Sequence, residues 1–175
     1  EPPAKPLLLD PEVVRTVHEV GGTILGSSRG PVDTEVIVDT LVKYGVDILF
    51  TLGGDGTQRG ASKIVEEIDR RKLKISVIGI PKTVDNDVSF VYRTFGFDTA
   101  VEQAGRVIEN AAVEVSSYLN AIAIVKLMGR DAGFISCYST VASGNVDFCL
   151  IPEVPFVLEG DGGLFQVVEA RLQKK

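Results

Sequence analysis

One histidine and two cysteines in 175 residues leave little material for a transition-metal site. Cys137 and Cys149 are too few for a disulfide framework and form no Cys/His cluster. They read instead as buried thiols in a reducing compartment. His18 is predicted on a surface helix and is a solvated polar residue, not a catalyst. Basic charge is also scarce: 18 Lys and Arg against 24 Asp and Glu give a net charge of −6. That balance excludes a binder of nucleic acid or of an anionic membrane, which needs a basic face. An anionic substrate would have to be held by a local basic cluster. No apolar run approaches the roughly 18 residues that span a bilayer. There is no signal-peptide pattern, and the only methionine is Met128. The opening Glu1-Pro2-Pro3-Ala4-Lys5-Pro6 reads as loop, so the expectation is a piece of a longer protein.

What is present is a 45% apolar, 24% charged chain of globular character. Strand-like and helix-like runs alternate along it. Asp10 and Pro11 start a short helix that Gly21-Gly22 ends. Residues 23–26 read as a strand. A helix capped by Asp33 or Thr34 has Ile37, Leu41 and Tyr44 on its apolar face and stops at Gly45. Residues 46–52 form a run typical of a strand buried on both faces. A helix from about Thr57 to Arg71 follows, with Ile64, Val65 and Ile68 inward. Residues 75–80 form the next strand, closed by Pro81. Asp98 is predicted to cap a long helix with Val101, Ala104, Ile108, Ala111 and Val115 on one face, and Gly105 to allow close packing. Further strands are expected at 121–127 and 146–151, with helices over 134–142 and after Asp161. The alternation predicts an α/β fold, doubly wound, with mostly parallel sheets and helices on both faces.

In such folds, ligands bind beyond the carboxyl ends of the strands. The unusual residues fall at those ends: Arg29, then Asp55, then Thr83, Asp85 and Asp87, then Arg130, then Glu153. About thirty residues separate Asp55 from Asp85, the length of one strand–helix–strand unit.

Gly53-Gly54-Asp55-Gly56-Thr57 combines a permissive turn with a helix N-terminus that offers free amides to a phosphate. Asp55 would repel that phosphate unless Mg²⁺ lay between them. Taken alone, the same turn also fits an ordinary strand-to-helix connection. In Lys82-Thr83-Val84-Asp85-Asn86-Asp87, one carboxylate can take a proton from a hydroxyl while Asp87 or the Asn86 amide orients it. Lys82 and Thr83 can position a migrating phosphoryl group. A polar turn is the alternative, but Val88, Phe90, Val91, Phe95 and Phe97 imply that this loop packs inward. Met128-Gly129-Arg130 presents a guanidinium beside flexible backbone, suited to a phosphate or a sugar hydroxyl. It also fits a local polar turn with Asp131. Glu153 can accept from sugar hydroxyls or be a solvated loop acid. Arg29, Lys82 and Arg130 carry most of the expected positive field, ahead of Arg59 and Arg93.

Six stretches resemble the 6-phosphofructokinase family, in its longer ATP-dependent form from plants and some protists. They are ILGSSRG at 24–30, LGGDGTQRGA at 52–61, GIPKTVDND at 79–87, FGFDTAVE at 95–102, IVKLMGRDAGF at 124–134 and CLIPEVPF at 149–156. They occur in the family's order along nearly the whole chain. The resemblance implies phosphoryl transfer from ATP-Mg to the 1-hydroxyl of fructose 6-phosphate, a step of glycolysis, in an allosteric, cytoplasmic homo-oligomer (dimer or tetramer). It implies Asp85 as catalytic base and Asp55 as the Mg²⁺ ligand. Arg29, Gly30, Gly54, Asp55, Gly56 and Thr57 would bind the donor. Thr83, Val84, Asp85, Met128, Gly129, Arg130 and Glu153 would contact the sugar phosphate, and Asp87 would support the metal site or Asp85. Residues 1–96 would be part of the donor domain and 97–175 part of the sugar-phosphate domain.

Gly56 and Lys82 bear on the donor. In this family pyrophosphate users have Asp at the position of Gly56, where a carboxylate would crowd the α-phosphate of ATP. The pairing of Gly56 with Lys82 resembles the longer ATP users, with pyrophosphate the runner-up donor. The resemblance also implies a fragment that need not be active alone. The family's first strand with its Gly-rich loop and its C-terminal half are not in this chain. Ala121 stands where short bacterial members have an Arg that reaches a neighbouring subunit. Exposed strand edges and apolar surface are therefore expected. NAD kinases and lipid kinases share the Gly-Gly-Asp-Gly turn but not the other stretches. A regulatory subunit without activity is the non-enzymatic alternative.

Overall fold

The computed structural model describes residues 6–28, 30 and 33–174. Helix α1, Pro11–Val14, starts as expected: the Asp10 side chain accepts from the Val13 amide at 2.9 Å and Pro11 takes the first position. It does not run to Gly21. Only a 3₁₀ turn at Val17–Glu19, which carries His18, follows it. Described residues up to 28 are all exposed, and a helix without a packed face does not propagate. The expected strand at 23–26 is a turn, with Ile24 and Leu25 exposed and no ladder partner.

The organised centre is a strand–helix–strand unit. Strand β1 (Ile48–Gly53) pairs in parallel with β2 (Ser76–Pro81), in register from Ile48↔Ser76 to Gly53↔Pro81. Helix α3 (Asp55–Arg70) connects them and packs on both. Helix α2 (Thr34–Lys43) packs on α3, and its first turn is capped by Asp33 accepting from Glu35 N at 2.9 Å. Val38, Leu41, Ile64 and Ile68 form the buried core, with Ile37, Val46, Leu49, Leu73, Ile75 and Val77 around it. Tyr44, expected inward, is exposed; Val38 holds the central place on α2.

The α/β class with a parallel sheet is therefore present. The described ladder has two strands. Successive strand residues face opposite sides. Leu49 and Val77 meet the core, while Ile48, Phe50, Leu52 and Ile78 are about half exposed. Burial of β1 on both faces was expected; α2 and α3 supply an apolar cover for one. The segments 121–127 and 146–151, predicted as strands, form no described ladder, and Ile124 is 91% exposed.

Helix α4 (Phe97–Ser116) begins at Gly96, whose φ of +91° is left-handed backbone that glycine adopts without a Cβ penalty. Asp98 lies in the first turn instead of capping it, and pairs with Arg93 at 2.7 Å. Ala104 and Ile108 are buried as expected, but Gly105 makes no close approach. α4 packs on α5 (Phe134–Ser143). There, fully buried Phe97 meets Tyr138 edge-on at 5.2 Å, with the Arg93 guanidinium over both rings. Helix α6 (Leu164–Leu172) is tied to the 146–151 segment by Arg171–Asp147 at 2.8 Å. No helix among the described residues is long and apolar enough to cross a membrane.

One charged cluster stitches α2 to α3. Glu67, nearly buried, accepts from Arg70 at 2.6 Å and from Arg71, and Arg71 also reaches Asp39. The Arg70 hydrogen bond, opposed by desolvation and joined by Arg71, lowers the Glu67 carboxyl from 4.5 to about 2. A depressed folded-state value gives a stabilisation fully present above pH 4.5 and lost as the pH falls through about 2. The expected result is a urea midpoint for Glu67→Gln below wild type at neutral pH. That gap should close on acidification across this window.

Candidate active site

The two carboxylate-bearing loops leave the carboxyl ends of β1 and β2 side by side. Lys82 N donates to Gly53 O at 2.8 Å, and a Cβ on Gly54 would stand 3.7 Å from Thr83 Cβ. Gly53 is required there: any Cβ would overlap the Thr57 side chain. Gly54 precedes α3, and its carbonyl accepts from Thr57 N at 2.9 Å and Gln58 N at 3.1 Å. Asp55 and Gly56 are exposed in the first turn, and Asp55 pairs with Arg59 at 2.6 Å. Gly56 has open space where a Cβ would stand. Lys82 is exposed, and Thr83 and Val84 are half-buried.

Asp85 is buried, at 8% exposure. Its amide donates to Thr83 Oγ1 at 3.2 Å, its Oδ2 lies 3.4 Å from Arg130 Nε, and its buried Oδ1 has no partner. A buried carboxylate oxygen without a donor is costly, and such an atom points to a group that a ligand brings. Arg130 also reaches Asp87 Oδ2 at 3.3 Å, so one exposed guanidinium spans both carboxylates. The backbone needed for this is unusual: φ is +50° at Arg130, +55° at Asn86 and +140° at Gly129. Non-glycine residues held in that region are common at ligand sites.

The Asn86 amide, expected to orient a reacting hydroxyl, is otherwise engaged. Its Oδ1 accepts from Thr94 N at 2.9 Å and Thr94 Oγ1 at 3.3 Å, and its Nδ2 donates to Tyr92 O at 3.3 Å. It closes the 86–94 loop, because an Asn side chain mimics backbone hydrogen bonding. Phe90 and Phe95 are exposed, contrary to the expected inward packing, as is Tyr92; Val88 and Val91 are half-buried, and only Phe97 is buried. Arg93 is committed to Asp98 and the aromatic stack.

The 128–133 loop and Glu153 are joined as well. Glu153 Oε1 accepts from Gly133 N at 2.8 Å, and a Cβ on Gly133 would strike Ile151. Met128 is exposed and Gly129 buried. Cys137, one turn into α5, is half-buried beside Cys149; burial first, then Cys149, pushes its thiol upward. Cys149 is exposed rather than buried as expected. Arg29 lies outside the described residues. Gly30 is exposed, and no described hydrogen bond links it to loops 53–57 or 82–87.

The structure thus brings together Gly54, Asp55, Thr83, Asp85, Asp87 and Arg130 through direct or adjacent contacts. Glu153 is bound to the far end of the Arg130 loop. Gln58 was missed: its amide Nε2 donates at 3.1 Å to both Gly53 O and Ile80 O. The signal available for it was Gly79 inside a strand, since such a glycine marks a close approach.

Among the described residues, no three His, Cys, Asp or Glu side chains are grouped to hold a metal ion. A single exposed carboxylate, Asp55, beside free helix amides fits Mg²⁺ carried in with a polyphosphate, because that ion keeps waters and phosphate oxygens as its main ligands.

The phosphofructokinase family model matches residues 4–175. Sequence relatives include ATP-dependent 6-phosphofructokinase 7 of Arabidopsis thaliana, 56% identical over 94% of this chain and 34% of its own length. The ATP-dependent 6-phosphofructokinase of Borreliella burgdorferi is 52% identical over 95% of this chain and 37% of its own length. The chain spans about a third of the length of these curated relatives. Among solved structures, a pyrophosphate-dependent phosphofructokinase from Marinobacter aquaeolei superposes with a TM-score of 0.67 at 29% identity, over 77% of this chain and 36% of that one. A phosphofructokinase of Pichia pastoris in the T-state gives 0.73 at 25% identity, over 95% and 19%.

Proposed function

Since the chain belongs to the phosphofructokinase family, we propose that it serves a protein that transfers the γ-phosphoryl group of ATP to the 1-hydroxyl of fructose 6-phosphate. The observation that carries this reading is the buried, unpartnered Oδ1 of Asp85, in the loop after β2 whose Thr83 lies against Gly54 at the start of α3. That oxygen is available to accept the proton of an attacking hydroxyl. Asp85 Oδ2 stays against Arg130, an arrangement that leaves Oδ1 for the substrate. The amides of Asp55 and Gly56, which open α3, face the donor phosphates, and Thr83 lies between the two halves. Arg130, Met128, Gly129, Val84 and Glu153 contact the sugar phosphate, with Arg130 exchanging part of its pairing with Asp87 for the ligand's phosphate. Arg29 and Gly30 complete the donor side in this proposal.

Asp55 would hold Mg²⁺, releasing its surface contact with Arg59. When bound, that ion would neutralise charge on the transferring phosphoryl group. Asp87 supports Asp85 through their shared guanidinium. Gly56 leaves room for the α-phosphate, and Lys82 supplies the cation beside it.

The division into a donor part, 1–96, and a sugar-phosphate part, 97–175, belongs to the same proposal. Its support is that α2, β1, α3 and β2 pack as one group and α4 with α5 as another. So does a soluble, allosteric, cytoplasmic or organellar homo-oligomer; one relative is named as chloroplastic. The test is the initial rate of the full-length protein with fructose 6-phosphate and either ATP or pyrophosphate at equal concentration. ATP should support turnover well above pyrophosphate. Turnover with pyrophosphate alone would replace the donor, and turnover with neither would end the proposal.

A further inference from the structure

Gln58 is the fourth residue of α3, and its side chain does not point to solvent. It turns back over the sheet. Its single amide Nε2 donates to the carbonyl of Gly53, the last residue of β1, and to that of Ile80, one residue before β2 ends. Its Oε1 occupies the place where a Cβ on Gly79 would stand, so residue 79 admits this amide only as glycine. A glycine inside a strand weakens the strand, so its presence here needs a compensating contact, and Gln58 is that contact. Beyond the two bonded carbonyls the chains diverge. One becomes the turn with Gly54 and Asp55, the other the loop with Thr83 and Asp85. One backbone bond, Lys82 N to Gly53 O, also crosses between them.

We infer that Gln58 is a positioning residue that fixes the spacing of the Asp55 turn and the Asp85 loop by holding both strand ends with one amide. The inference rests on the proposed phosphoryl transfer. It goes beyond it in assigning the spacing of the donor and acceptor halves to a side chain that touches neither substrate. Neither Gln58 nor Gly79 belongs to the hydrophobic core of Val38, Leu41, Ile64 and Ile68. Loss of the clamp should therefore leave the fold in place and let the two loops drift. In-line transfer is sensitive to that drift: a misplacement of about 1 Å costs on the order of 10²-fold in rate.

The experiment uses the full-length protein in three forms besides wild type: Gln58→Ala, Gly79→Ala and the double variant. Gln58→Ala removes the amide. Gly79→Ala puts a methyl group where the amide lies. Both single variants should lower kcat by about 10- to 100-fold, keep KM for donor and sugar phosphate within about 3-fold, and retain a cooperative unfolding transition. The double variant should be no slower than Gln58→Ala, because the methyl then displaces nothing. A folded Gln58→Ala protein with wild-type kcat overturns the inference. So does one whose KM alone rises, or one that does not fold, which makes Gln58 a residue of the fold only. Losses that add in the double variant overturn it too. Wild type is measured first with ATP and with pyrophosphate; an inactive wild type overturns the proposed reaction and this inference with it.

Discussion

Asp85→Asn in the full-length enzyme is expected to lower kcat by about 10²- to 10⁴-fold, the contribution of a positioned general base, while KM for fructose 6-phosphate changes little. Asparagine keeps the volume of a side chain that is 8% exposed, so the fold should survive. It cannot take a proton at neutral pH. The proposal places that proton on the oxygen that lacks any partner, Oδ1. The contact of Oδ2 with Arg130 is long, at 3.4 Å, and half of it lies in solvent reach, so its loss costs little by comparison. Asp85→Ala should be at least as slow and is the less clean variant, because it also opens a void beside Val84 and Arg130. Steady-state kinetics with a melting curve for each protein checks this. A folded Asp85→Asn enzyme at wild-type kcat removes Asp85 from the base role.

Gly56→Asp should weaken the donor preference for ATP. The backbone at residue 56 is not left-handed, and a Cβ there meets nothing within 4 Å. A carboxylate in the first turn of a helix is also favoured by the helix dipole. The variant should fold as well as wild type. Its cost falls on the ligand: a new negative charge about 4 Å from a phosphate is worth roughly 4 kcal/mol at an effective dielectric of 20, or about 10³-fold. ATP has three phosphates to place at this helix end, so kcat/KM for ATP should fall on the order of 10²- to 10³-fold. Pyrophosphate, with no α-phosphate to crowd, should lose less. Undiminished ATP use in a folded Gly56→Asp protein would sink the donor argument.

Much of the architecture was legible because it is local. The 3.6-residue period of Ile64 and Ile68, and of Ala104 and Ile108, marked α3 and α4, and the apolar runs marked β1 and β2. Strand status at 121–127 and 146–151 was not, because a strand exists through its partners, and those segments pair with nothing among the described residues. The same reason left β1 with one bare face. Within the candidate site, the approach of the Gly54 turn to Thr83 followed from the parallel ends of β1 and β2, whereas Arg130 meets Asp85 and Asp87 from a segment that joins no described ladder. Two roles were hidden. Asn86 looked chemical and proved to close its loop on Thr94 and Tyr92. Gln58 looked like an ordinary helix residue, and only three-dimensional contact with Ile80, twenty-two positions away, reveals its clamp.

The central claim is that one cleft, with its donor half at α3 and its acceptor half at Asp85, phosphorylates the 1-hydroxyl of a sugar phosphate. Phosphorus NMR of the full-length protein with ATP, Mg²⁺ and fructose 6-phosphate tests it most directly, with Asp85→Asn as the control. The account predicts loss of the ATP γ-phosphate signal and growth of a new phosphomonoester on C1 of the sugar, both nearly abolished in the control. A phosphomonoester at another carbon, or the same product formed at an equal rate by Asp85→Asn, would contradict it.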